Sequence, residues 1–209
     1  MIWNEDEARA FVAARCDAAA MARLETLTAM LAIENTRQNL VAAASLASVW
    51  QRHIADSAQL LDYVPHGTVR WLDLGSGAGF PGLVIAVLRP DFHVHLVESR
   101  RRRVEWLAKA VAALGLPQCE VIGRKIEDAP RLEVGIISAR AFAPLPKLIK
   151  LARRFSTSDT VWLLPKGRSA AQEVAELPIS LKTGFHVEQS ATDADSGVIV
   201  GRIAEGQQR

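Results

Sequence analysis

The chain changes its hydrophobic rhythm near residue 69. Before that point apolar residues recur at helical spacing. Ala8, Phe11 and Val12 lead to Leu24, Leu27 and Leu31 in a stretch, residues 5–34, rich in Ala, Leu, Met, Arg and Glu. This predicts one or two amphipathic helices. Ile54, Ala58 and Leu61 share one face of a further predicted helix over 45–63, and Pro65-His66-Gly67 ends the pattern. Beyond it, short apolar runs alternate with helical stretches. Strands are expected at 69–74, 93–97, 119–122, 134–138, 160–164, 185–189 and 198–203. Helices are expected at 81–88, opening on Pro81, at 102–114, closed by Gly115, and near 145–152 and 169–176.

Strand–helix alternation implies a parallel sheet covered on both faces. The last two expected strands are joined only by the turn-rich TDADSG, which reads as an antiparallel hairpin. The expected fold is α/β: a Rossmann-like, doubly wound, mostly parallel sheet with a C-terminal antiparallel hairpin. By analogy of fold this is the arrangement of the class I methyltransferases. A length of 209 residues fits one domain with a small appendage. The division is a helical N-terminal extension, 1–66, and a methyltransferase domain, 67–209.

Composition adds little until the charges are located. The net charge is +2, yet residues 1–68 carry five basic and eight acidic side chains, and residues 100–168 fifteen basic and six acidic. A near-neutral chain with one strongly basic segment suggests a polyanionic partner, although charges at helix ends can also be merely solvated. Cys16 and Cys119 are too few for a disulfide framework or a thiolate zinc site. The five histidines form no ligand set, so no metal is expected. No apolar run approaches membrane-spanning length, and the acidic N-terminus is unlike a signal peptide. A soluble cytoplasmic protein is expected.

The chemistry centres on WLDLGSGAGFPG. Gly77-x-Gly79-x-x-Gly82 matches the dinucleotide fingerprint, and Glu98 lies 19 residues after Gly79, at the end of the next strand. A carboxylate there can accept both ribose hydroxyls of an adenosine. Two residues discriminate between adenosine cofactors. Pro81 removes an N–H from the helix start that would face a pyrophosphate. Asp73, at the end of the first strand, is awkward beside a pyrophosphate and suits a cationic ligand; its other reading is a capping or turn carboxylate. Both favour S-adenosylmethionine over a nicotinamide cofactor. Asp73, Gly77 and Glu98 are thereby assigned to the cofactor.

Methyl transfer from a sulfonium needs orientation more than acid–base help. The sequence offers no clear acid–base dyad, which suits an acceptor with a free lone pair such as guanine N7. Arg140 follows the fourth expected strand at the carboxyl edge of the sheet, where ligands bind in open α/β folds. It is the candidate catalytic residue, orienting the substrate or the cofactor carboxylate. Phe142 is a candidate for base stacking or loop packing, and Lys166 for a substrate phosphate or a solvated turn. Arg124 and Lys125 precede Ile126-Glu127, where backbone and an apolar side chain could frame an adenine.

LDLGSGAGFPGLVIA, LVESRRRRVEWL, the RKIE step, SARAFA and LPKG together resemble the glucose-inhibited division protein B family, and NTRQNL and RHIADS resemble its N-terminal region. The resemblance runs from about Asn35 to Ile203. It implies S-adenosylmethionine-dependent methylation of guanine N7 in 16S ribosomal RNA, free or within the small subunit, by a monomer. It further implies that Gly75 and Phe80 contact the cofactor, that Ile126 and Glu127 lie beside the adenosine, and that Arg140 lies near its methionine end or the acceptor. Arg124, Phe142 and Lys166 are carried as RNA-side candidates. Val41 and the Val134-Gly135 step depart from the family pattern, outside the cofactor motif. The rival functions are a nicotinamide-dependent oxidoreductase, opposed by Asp73, Pro81 and the hairpin, and a non-catalytic RNA-binding module, opposed by the intact glycine motif.

Overall fold

The computed structural model describes residues 1–204; the last five residues of the expected 67–209 domain lie outside the described residues. Helices α1 (Glu5–Ala13) and α2 (Ala18–Asn35) open the chain. Each begins on a side-chain cap: Asn4 accepts from the Glu7 N–H, and Asp17 from that of Ala20. Ala8, Val12, Leu24, Leu27 and Leu31 are buried, as the periodicity predicts, whereas Phe11 is only partly so.

The helix expected over 45–63 is broken into four pieces. A 3₁₀ segment (Ala43–Ser48), a π-helical turn (Trp50–Ala55), one α-turn, α3 (Asp56–Ala58), and a second 3₁₀ segment (Gln59–Tyr63) follow one another. Glu5 of α1 supplies a physical reason. Its carboxylate accepts the N–H groups of Trp50 (3.0 Å) and Gln51 (2.8 Å), which a continuous helix would direct at its own preceding turn.

The sheet has seven strands: β1 (Arg70–Leu74), β2 (His93–Val97), β3 (Cys119–Ile122), β4 (Ile136–Ser138), β5 (Val161–Lys166), β6 (Phe185–Gln189) and β7 (Gly197–Gly201). Their order is β3-β2-β1-β4-β5-β7-β6. The first five pair in parallel, and β7 runs antiparallel to both β5 and β6. The expected antiparallel hairpin forms and ends the sheet, with β7 inserted between β5 and β6. β5 runs two residues further than expected because Pro165 and Lys166 pair with Val198 and Gly197. Helices α4 (Gly82–Leu88), α5 (Arg101–Leu114), α6 (Leu145–Ala152), α7 (Ala170–Ala175) and a short turn, α8 (Ile179–Lys182), link the strands. Pro81 stands one position before α4 rather than within it, and α8 was not expected.

Alternate strand residues face opposite layers. Trp71, Val94, Leu96, Ile136 and Leu163 pack with α4 and α5, and the same buried cluster takes in Leu24, Leu27 and Leu31 of α2 and Trp50 and Ile54. Leu72, Leu74, Ile137, Trp162 and Leu164 pack with α6 and α7. No helix among the described residues is long and apolar enough to cross a membrane. The N-terminal helices share a core with one face of the sheet, so Leu27→Ala, at a fully buried position, is expected to cost about 2–5 kcal/mol in global unfolding. Denaturant melts of the full chain check this; a separate early transition with an unchanged main midpoint would contradict the shared core.

Candidate active site

The glycine turn joins β1 to α4. Gly75 and Gly77 have φ of +67° and +56°, a backbone region that side-chain-bearing residues rarely enter. The Gly75 and Ser76 N–H groups bond to Val97 O at 2.8 and 3.1 Å, tying the turn to the end of β2. There Glu98 lies almost wholly buried. Its Oε2 accepts the Gly77 N–H at 3.1 Å, and Oε1 accepts those of Ser99 and Arg100 at 2.7 and 2.8 Å. Three of a carboxylate's roughly four acceptor positions are thereby used. Arg103 Nη1 stands 3.9 Å from the same Oε2. The acceptor position that remains lies beside the glycine-rich turn, an arrangement that can meet an adenosine.

Asp73 is fully buried. Trp71 Nε1 donates to Ser138 Oγ (2.7 Å), and Ser138 donates to Asp73 Oδ1 (2.7 Å). Asp73 Oδ2 accepts the Gly82 N–H at 3.3 Å. Burial pushes this carboxyl upward from its ordinary range, opposed first by the Ser138 hydrogen bond. Asp73 was expected to meet a cationic ligand directly or through water, or to act as a capping carboxylate; its bonds to Ser138 and to the Gly82 N–H are those of the capping reading. With Gly82 N–H on Asp73, Leu83 N–H on Gly79 O (2.7 Å) and Pro81 lacking one, the start of α4 offers little to a pyrophosphate.

A cleft of about 690 Å³ opens beside the turn, lined by residues after β4 and β5, the β6–β7 turn and the segment 40–56. Arg140 lines it. Its Nη1 donates to Arg52 O (3.2 Å), His53 Nδ1 (3.1 Å) and Asp56 Oδ2 (3.4 Å), and its guanidinium lies 5.1 Å from the Phe80 ring centroid. Phe80 also stacks on His53 at 4.9 Å. Burial pushes the Asp56 carboxyl up, while Arg140 and the Thr192 hydroxyl pull it back. Burial, reinforced by Arg140 and Arg52, lowers His53 to about 3, so the ring is neutral. Phe142 lines the same cleft and its ring rests on Gly75, where a Cβ would collide with it. The intervening Ala141 has φ +52°.

Other expected residues lie differently. Lys166 lines the cleft, but its ammonium is held by Glu173 Oε2 (2.8 Å) and Ala143 O (2.9 Å), which corrects its expected role toward a substrate phosphate. Arg124 is exposed and outside the cleft lining, and its side chain has no protein partner among the described residues. Ile126 is buried against the α6 layer, and Glu127 is exposed, with its carbonyl bonded by Arg154 (2.8 Å). His53, Asp56 and Thr192 had no assigned role in the sequence reading. RHIADS marked the segment, but neither periodicity nor spacing could place it against Arg140, more than eighty residues away.

The strand order, the glycine turn and the acid at the end of β2 define a class I methyltransferase. In agreement, the fold is similar to that of a SAM-dependent methyltransferase from Aquifex aeolicus, with a TM-score of 0.56 at 14% identity over 75% of this chain and 93% of that one. The family model for rRNA small subunit methyltransferase G matches residues 20–196. Proteins named ribosomal RNA small subunit methyltransferase G are 60% identical in Erythrobacter litoralis, over 97% of this chain and 98% of the relative, and 54% identical in Novosphingobium aromaticivorans, over 92% and 84%. The chain belongs to the rRNA small subunit methyltransferase G family.

Two predictions concern the cleft. Because His53 is lowered from 6.5 to about 3, the unfolded chain binds its proton first as pH falls. The stability tied to neutral His53 is full above about pH 6.5 and declines toward pH 3. The stability difference between the native chain and His53→Asn should shrink by about 2 kcal/mol from pH 7 to pH 5, read from urea melts at both pH values. Lys166→Met should cost about 3 kcal/mol by leaving Glu173 unpaired, with the salt slope of RNA binding unchanged; a slope smaller by about one would restore a phosphate contact.

Proposed function

We propose that this chain transfers a methyl group from S-adenosylmethionine to N7 of a guanine in 16S ribosomal RNA. The observation that carries the reading is the adjacency of two sites. The glycine turn and Glu98 suit an adenosine, and the Arg140-lined cleft begins where Phe142 touches Gly75. In this reading Gly75, Gly77 and Phe80 flank the cofactor, Glu98 accepts one ribose hydroxyl, and Ile126 and Glu127 border the adenine. Asp73 supports the turn from beneath. The bound sulfonium supplies an already activated methyl group. Arg140 orients the cofactor carboxylate or the base, and Phe142 offers a ring for stacking.

Ionisable groups central to the cleft are already engaged. His53 Nδ1 accepts from Arg140, while Asp56 and Glu173 are paired with Arg140 and Lys166. That favours an acceptor whose lone pair needs no deprotonation. Arg124, exposed after β3, would meet RNA phosphate. The 1–66 extension and the 67–209 domain act together, in a cytoplasmic monomer.

The test is incubation with labelled donor and either unmodified 16S RNA or small subunits, followed by nucleoside analysis. Labelled 7-methylguanosine is expected, with a transfer rate nearly flat between about pH 6 and 8. Label in another nucleoside would reject the acceptor atom, and a rate rising tenfold per pH unit would reject the base-free mechanism.

A further inference from the structure

Arg140 emerges from the loop after β4, yet the contacts of its Nη1 are all to residues 52–56. The groups that hold it are themselves held. His53 Nε2 lies 2.8 Å from Ser45 Oγ, and Ser45 Oγ donates to Ala42 O at 2.7 Å. With the serine proton committed, Nε2 must donate, which leaves Nδ1 as the acceptor that Arg140 requires. The imidazole is also clamped flat on Phe80, with 10° between the planes. Asp56 Oδ1 accepts from Thr192 Oγ1 (3.0 Å) and Gln59 Nε2 (2.9 Å), leaving Oδ2 toward Arg140.

The guanidinium therefore enters the cleft with one nitrogen committed. Its Nε and Nη2 have no protein partner among the described residues and can bond a carboxylate or a base edge. Ala141, next in the chain, holds a left-handed backbone that a side-chain-bearing residue keeps only when its surroundings impose it. The loop does not position Arg140 unaided.

We propose that His53 and Asp56 are positioning residues for Arg140, so that the segment before the sheet completes the methyl-transfer site. This rests on the reading of Arg140 as an active-site group. Neither residue touches the reacting atoms. They fix the direction of the two free guanidinium nitrogens, and misdirection by about 1 Å can lower a rate 100-fold.

The test is a double-mutant cycle on the full chain, read as single-turnover methylation of small subunits with saturating labelled donor. Asp56→Asn and His53→Leu should each lower the transfer rate about 10- to 100-fold, with subunit affinity changed by less than about threefold. His53→Asn, which keeps an acceptor near the Nδ1 position, should recover most of the rate lost in His53→Leu. Arg140→Lys should itself be slow, and adding Asp56→Asn to it should cost almost nothing more. If Arg140→Lys is as fast as the native chain, Arg140 is not an active-site group and the proposal falls with that reading. If Arg140→Lys is slow but Asp56→Asn multiplies its own full loss onto it, Arg140 stands and the positioning role is overturned. Thermal midpoints accompany each variant. A lowered midpoint with an unchanged rate in the folded fraction of both Asp56→Asn and His53→Leu assigns the two residues to stability alone and also overturns the proposal.

Discussion

The carboxylate of Asp73 is the constraint on which the site depends. It lies near the end of β1, beside β4, where the strand order reverses direction. One oxygen receives Ser138 of β4 and the other receives the backbone at the start of α4. A buried carboxylate without donors would cost several kcal/mol, so the three elements are held in one register. Arg140 follows Ser138 by two residues. The bond that satisfies Asp73 therefore also fixes where the loop carrying Arg140 leaves the sheet.

The basic segment takes on a different meaning once its partners are known. Of the residues that make 100–168 so positive, Arg140 and Lys166 are paired with Asp56 and Glu173, Arg101 with Glu105 and Arg168 with Asp195. Arg154 bonds the Glu127 and Ala129 carbonyls. Those cations are structural members of loops and helix ends. Arg124, Lys125, Lys147 and Lys150 are exposed, and their side chains have no protein partner among the described residues. They leave a positive surface available to a polyanion.

Much of the fold was legible because its signals are local. Short apolar runs marked all seven strands, three of them to the residue, and the Gly-rich turn stood between β1 and α4 as its composition required. The broken 43–63 segment was not legible, because Glu5 interrupts it from forty-five residues away. The same limit governed the site. Gly77 and Glu98 announce themselves by spacing, and the structure brings the two into contact. Lys166 was misread because a lysine at a strand's end shows its charge and not its partner, here seven residues further on in α7. Asp73 carried two readings because its sequence position is the same whether it faces a ligand or a backbone N–H. His53 and Asp56 were invisible for a plainer reason: nothing local says which distant cation they meet.

The interposed strand β7 has a consequence for how the chain is made. β6 has its ladder only with β7, and β5 has β7 as its second neighbour. Until Gly197–Gly201 leaves the ribosome, a chain that has already built β1 to β5 presents β5 as an open strand edge in addition to β3, and β6 has no place in the sheet. The final strand closes both gaps at once. Vectorial synthesis thus delivers the Arg140 loop early but withholds the strand that anchors the Thr192 turn to the sheet. The cleft is completed only after that strand has emerged, and the chain that lacks it is the form most exposed to edge-to-edge association.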